Sequence, residues 1–261
     1  MGLIKTFPAS GAGFPSVEGN IPSFPPAAAA LNPYWPFSDI ALPPFLWRPD
    51  LTGDYRNMGS AGAALDLSLA LGMPPPSFSN GCVLSSPGGN STVLLTSPNP
   101  DVSDLGAVCS WIFKVKVPSG SQTIDSNYMA DNSGGVAFFL FDGQPFNINL
   151  YQDSNSILAK IGTAICQAGV EYIIVLTFGN GTLHLHINGV EDTPLVDNGS
   201  IGTVTRIGAT IYGWTIGDDA NSAPSYGSDT SSGGSVIKIE AVAKGIEYTP
   251  AQAAEITAGL S

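Results

Sequence analysis

The sequence predicts an all-β protein: a two-sheet antiparallel sandwich with an extended, proline-rich N-terminal arm and a short C-terminal helix. Glycine (31 residues) and proline (21) are abundant in the 261 residues while charged side chains make up only 11%, the balance of short strands joined by many turns. Several segments after residue 45 alternate apolar and polar residues with the period of two that a strand requires. Two Asn-Gly pairs stand where tight hairpins need positive φ.

Residues 1–41 are read as the arm and 42–261 as the sandwich. Nine prolines fall in residues 1–45, and Pro49 follows. Proline locks φ and removes a ladder donor, so an extended, polyproline-like chain is expected there, interrupted at Ala27 to Ala30. The arm is also apolar, with Phe7, Phe14, Phe24, Tyr34, Trp35 and Phe37 along it. Such a segment is suited to lying on a surface, either the sandwich itself or a neighbouring subunit.

The strands follow in order. In residues 111–117, Trp111, Phe113, Val115 and Val117 share one face and Lys114 and Lys116 the other, the pattern of a half-buried antiparallel strand. The apolar run 136–141, the Asp142-Gly143 turn and the alternation of Phe146, Ile148 and Leu150 read as a hairpin. Residues 171–178, Asn180-Gly181, 182–187 and Asn188-Gly189 read as a three-stranded meander. A Gly-, Ser- and Asp-rich loop covers 218–235. Ile237, Ile239 and Ala241 then alternate with Lys238 and Glu240 in a last strand. Thr249 is placed to cap a helix that begins at Pro250, with Gln252 completing a capping box.

Three segments in this order resemble the concanavalin A-like lectin/laminin-G-like jelly roll, a group found in glycan-binding modules and in tailed-phage structural proteins. They are the meander from Tyr172 to Gly189, Ile207-Gly208 with the strand at 236–243, and the tail from Tyr248 through Pro250 and Gln252 to Ile256. The resemblance extends over about 42–261 and implies two sheets packed face to face, with any ligand at the concave face or the rim loops. It implies no chemistry by itself.

The charge balance argues against several classes. A net charge of −12 repels a phosphate backbone, so nucleic acid is not an expected partner. No apolar run reaches the roughly 18 residues of a membrane span, and no secretory leader is read at the N-terminus. Cys82, Cys109 and Cys166 are read as buried, inert thiols. None of the six glutamates has an acidic residue two places away, as the paired carboxylates of glucanases with this fold would need. With two histidines in all and no nucleophile elbow or phosphate loop, the chain is read as non-enzymatic.

Tyr212, Trp214 and Tyr226 flank the long loop and are the candidates for stacking on a sugar, with Asp218 and Asp219 beside them; rim packing is the ordinary alternative. Two groups, Asp125, Asn127, Asp131 and Asn132, and Asp218, Asp219, Asn221 and Asp229, offer oxygen ligands to calcium, against which stands plain turn chemistry. His184 and His186 share a strand face and are read as solvent-facing opposite Leu183, Leu185 and Ile187, not as metal ligands. The expectation is a virion structural protein (a capsid decoration, fibre or adaptor subunit), homo-oligomeric and anchored through its arm to other subunits. The alternative is an extracellular or cell-surface glycan-binding lectin module, with or without calcium.

Overall fold

Short antiparallel strands dominate the computed structural model, which describes residues 32–85, 92–118, 121–126, 135–153, 156–199, 201–208, 213–217 and 234–261, with backbone alone at 121–126, 152–153 and 156–157. They form two large sheets. The first runs in the order β14 (Val190–Glu191), β13 (Thr182–Ile187), β12 (Glu171–Gly179), β7 (Val108–Lys116), β18 (Val236–Lys244), β4 (Cys82–Val83) and β3 (Ser77–Phe78), and β1 (Phe45–Trp47) also pairs with β18. The second runs β15 (Val196–Gly199), β11 (Ser156–Ile165), β10 (Pro145–Asp153), β9 (Gly135–Phe141), β8 (Ser121–Ser126), β17 (Thr215–Ile216), β5 (Leu94–Thr96) and β2 (Leu67–Leu69). A small pair, β6 (Asp104–Gly106) and β16 (Ile207–Gly208), stands apart from both sheets. The helices are α1 (Pro49–Thr52), α2 (Pro100–Ser103) and α3 (Pro250–Leu260).

The expected sandwich is therefore present, and the expected alternations build its interior. Trp111, Phe113 and Val115 of β7 face Phe138 of β9 and Phe146, Ile148 and Leu150 of β10 in one buried cluster. Phe113 and Phe138 stack with centroids 4.8 Å apart at 7°. The hairpins turn as the Asn-Gly pairs predict. Asn180 and Gly181 have φ of 48° and 92°, and Asn188 and Gly189 have 50° and 80°, the double positive φ that matches the twist of the flanking strands.

A second apolar layer lies on the opposite face of the first sheet. Ile112, Ile173, Val175, Ile239 and Ala241, with Leu46 of β1 beside them, are covered there by Trp35, Phe37 and Ile40, and by Ala253, Ile256 and Leu260 of α3. This corrects the reading of residues 111–117 as half-buried. Ile112 is fully buried on the face expected to meet solvent, and Lys114 donates to the Leu260 carbonyl at the end of α3. α3 starts as expected, with Thr249 and Gln252 forming a reciprocal capping box.

The same layer takes up the end of the proposed arm. Trp35 is 1% exposed and Phe37 8%, their rings meeting edge to face at 4.8 Å. The Trp35 indole donates to the Ile40 carbonyl at 2.8 Å and Arg48 donates to the Tyr34 carbonyl at 2.9 Å. Trp35 and Phe37 thus belong to this chain's own core, with Tyr34 part-buried against it. Of the two surfaces the arm was expected to lie on, these residues take this chain's own sandwich, which corrects the assignment of Trp35 and Phe37 to docking on another subunit. Phe7, Phe14 and Phe24 lie outside the described residues. Asn57 fastens the adjoining turn: its Oδ1 accepts from Leu46 and Gly59, and its Nδ2 donates to the carbonyls of Pro44 and Gly62.

Cys82, Cys109 and Cys166 are all free and buried, as expected. Burial raises each thiol, with Glu240 adding to the effect on Cys82, pushed up to about 12, and Asp142 to that on Cys166, pushed up to about 11. Native protein is expected to resist a thiol-reactive dye at neutral pH and to take up label at all three sites once unfolded; rapid labelling of the folded chain would contradict this packing.

Gly259 has a different significance. A Cβ there would fall 2.5 Å from the Phe37 ring. Helix propensity favours Gly259→Ala by about 1 kcal/mol, yet the substitution is expected to lower the urea midpoint. Combined with Phe37→Ala it should cost less than the two changes summed.

Candidate functional site

The two outer faces of the sandwich differ. The first sheet's is covered over much of its area by α3 and the 32–44 segment, whereas no described helix packs on the second sheet's. On β10 the residues between the core positions Phe146, Ile148 and Leu150 are Asn147, Asn149 and Tyr151, so strand alternation places two amides and a phenol on that outer face. Phe139 and Phe141 of β9 lie on the same side. Register sets Phe139 opposite Asn147, and Asn147 opposite Ile161 of β11.

The geometry is that of an aromatic and amide platform. The Phe139 and Phe141 rings are nearly parallel, 14° apart in plane with centroids at 5.9 Å, and both are part-exposed. Asn149 donates to the Tyr151 hydroxyl at 3.2 Å. A depression of about 300 Å³ is lined by Phe141, Gln144, Pro145, Asn147 and Ile161. Asn147 Oδ1, shielded from solvent, has no hydrogen-bond partner among the described residues. A buried amide oxygen without a donor is costly, so the site favours a guest that brings a hydroxyl. Flat apolar faces beside amides that give and accept hydrogen bonds are the chemistry of a ring carrying C–H on one side and hydroxyls at its edge.

Of the stacking and ligand candidates singled out from the sequence, the side chain of Trp214 alone is described, and it lies elsewhere. Trp214 is 1% exposed between the sheets, where its indole donates to Glu240 and its amide to Thr96 Oγ1. Its assignment as a stacking residue is corrected, because neither ring face meets solvent. Tyr212, Asp218, Asp219 and Tyr226 lie outside the described residues. So do the calcium candidates Asn127, Asp131, Asn132, Asn221 and Asp229, and of Asp125 the backbone alone is described. Among the described residues no three His, Cys, Asp or Glu side chains are grouped to hold a metal ion. His186 is also corrected: it is 1% exposed, not solvent-facing, while His184 meets Glu191 at 2.8 Å.

Phe139, Phe141, Asn147, Asn149 and Tyr151 were missed by following core alternation alone. The signal was present as its complement, since Asn-x-Asn-x-Tyr on the face opposite Phe-x-Ile-x-Leu marks a sheet surface with specific polar content.

No family model matches the sequence, and no curated protein is significantly similar to it. Among solved structures, the chain is similar to domain 4 of an extracellular GH43 arabinanase from Geobacillus stearothermophilus, determined in complex with arabinotriose. The TM-score is 0.57 at 14% identity, covering 83% of this chain and 98% of that one. It is similar to the binding domain of Paraclostridial Mosquitocidal Protein 1 (TM-score 0.56, 13% identity, 77% of this chain and 49% of that one). It is also similar to the binding domain of botulinum neurotoxin serotype G (TM-score 0.50, 12% identity, 84% and 51%). The chain spans about half the length of the last two. At these identities the likeness shows the fold: an antiparallel β-sandwich.

Trp214→Phe removes the indole donor to Glu240 while keeping the ring's bulk. It is expected to cost about 1–3 kcal/mol, the range for losing one hydrogen bond to a buried charged group, in urea unfolding.

Proposed function

We propose that this protein is a non-catalytic carbohydrate-binding module that holds a saccharide on the outer face of its second sheet. One observation carries the reading: Asn147 Oδ1 is buried without a donor beside the part-exposed rings of Phe139 and Phe141. Phe139 and Phe141 supply stacking surface for a sugar ring, Asn147 accepts from a hydroxyl, and Asn149 and Gln144 border the ring's polar edge. The likeness to an arabinanase domain determined with arabinotriose and to two toxin binding domains supports this reading over a virion role. The virion reading leaned on an apolar arm, and its Trp35 and Phe37 are used within this chain's own core.

The test is affinity electrophoresis through arabinan and a panel of other polysaccharides, followed by calorimetry with the best oligosaccharide. Phe139→Ala and Asn147→Ala are each expected to weaken binding by about tenfold or more, the size of one lost stacking or hydrogen-bonding contact. No reducing ends should accumulate. Absence of retardation on every polysaccharide, or binding indifferent to both substitutions, would overturn the proposal.

A further inference from the structure

The two histidines of the chain share one strand face on the other side of the molecule, in a feature unrelated to the proposed saccharide platform. Register pairs Val175 with His186 and Thr177 with His184, so both imidazoles lie on the outer face of the first sheet with Val175. On this face a cavity of about 370 Å³ lies between residues 247–250, where α3 begins, and the β13–β14 edge. His184, His186, Glu191, Glu247, Tyr248 and Pro250 line it.

Its polar groups are mostly acceptors or groups that can accept. Glu191 is engaged by His184, but Glu247 has no hydrogen-bond partner among the described residues. Its carboxylate occupies the space over Gly179 that any side chain there would fill. His186 and Tyr248 are 1% and 2% exposed. Neither ring nitrogen of His186, nor the Tyr248 hydroxyl, meets hydrogen-bond geometry with any described group. Burial holds the His186 imidazole below its ordinary value, against smaller opposing effects of Glu191 and the Val175 carbonyl, so at neutral pH one ring nitrogen is an acceptor. Lys and Arg are absent from the lining.

Two carboxylates without a lysine or arginine among them, two buried polar groups lacking partners and a largely carbon wall call for a cation that brings several N–H donors. A bare metal ion fits poorly, because no three ligating side chains converge there among the described residues and the volume is that of a small organic molecule. We propose that this cavity is a second binding site, specific for a primary ammonium group that Glu247 neutralises and that His186 and Tyr248 help to hold.

The full chain, with its histidines ¹⁵N-labelled, is titrated at neutral pH with ethanolammonium, with putrescine, with tetramethylammonium, which carries no N–H donor, and with Zn²⁺. The expected result is saturable movement of the His186 ring resonances with the two primary amines and none with tetramethylammonium. Glu247→Gln lies at an exposed position and leaves the core intact. It should weaken ethanolammonium about tenfold, as loss of one charge-assisted hydrogen bond does. Tyr248→Phe, which removes only the hydroxyl, should weaken it less. The proposal fails if the amines produce no saturable shift, if tetramethylammonium matches them, if Glu247→Gln binds as well as wild type, or if only Zn²⁺ moves the two imidazoles. The saccharide measurement above is independent, since Phe139→Ala should leave amine binding intact.

Discussion

Strands β7, β12 and β18 carry apolar side chains on both faces, Trp111 and Phe113 inward with Ile112 outward, Ile174 inward with Ile173 and Val175 outward. A sheet of this kind cannot leave either face in water without exposing several large side chains at roughly 1.5–3 kcal/mol each. It therefore needs two covers. The second sheet provides one, and the other is assembled from α3 and the 32–44 segment, from opposite ends of the described chain. The capping box, the Arg48 bond to the Tyr34 carbonyl and the Gly259 approach to Phe37 all serve this outer cover.

Covering one outer face leaves the other to differ. The second sheet is sealed on its inner side by Phe138, Phe146 and Ile148, while its outer positions carry Phe139, Phe141 and the Asn147 and Asn149 amides. Such a surface is too aromatic for an idle solvated face, and amides leave it short of the uninterrupted apolar character of a core. A ring-shaped, hydroxylated guest suits that combination. Apart from Gln144 in the turn, strands hold the groups in place, so little ordering is required when a ligand binds.

Buried polar groups mark where the packing carries more than hydrophobic content. Asn57 uses all four of its hydrogen-bonding sites and locks the turn beside β1. Glu240 lies wholly buried in the sandwich and receives the Trp214 indole. Asp192 accepts from the backbone of Thr163 and Ala164 and from the Thr163 hydroxyl, which joins the edges of the two sheets. His186 and Tyr248 differ from these because protein partners for their polar atoms are missing among the described residues.

The local order of the chain was legible in its residues. Period-two alternation located β7, β10, β13 and β18, the Asn-Gly pairs located two turns, and Thr249-Pro250 with Gln252 located the start of α3, because each depends on neighbours a few residues apart. The site was not legible in the same way. Alternation divides a strand into two faces but does not say which face a distant segment will cover, so the Lys114 face of β7 and His186 read as solvent-facing and Trp214 as a ligand platform. Those assignments turn on contacts between residues more than a hundred positions apart, such as Lys114 with Leu260 and Thr96 with Trp214. Sequence periodicity determined that there would be a sandwich. Only the tertiary structure decided which of its outer faces would be sealed, because closing a face depends on which segments have apolar surface left to bury once the first core is complete.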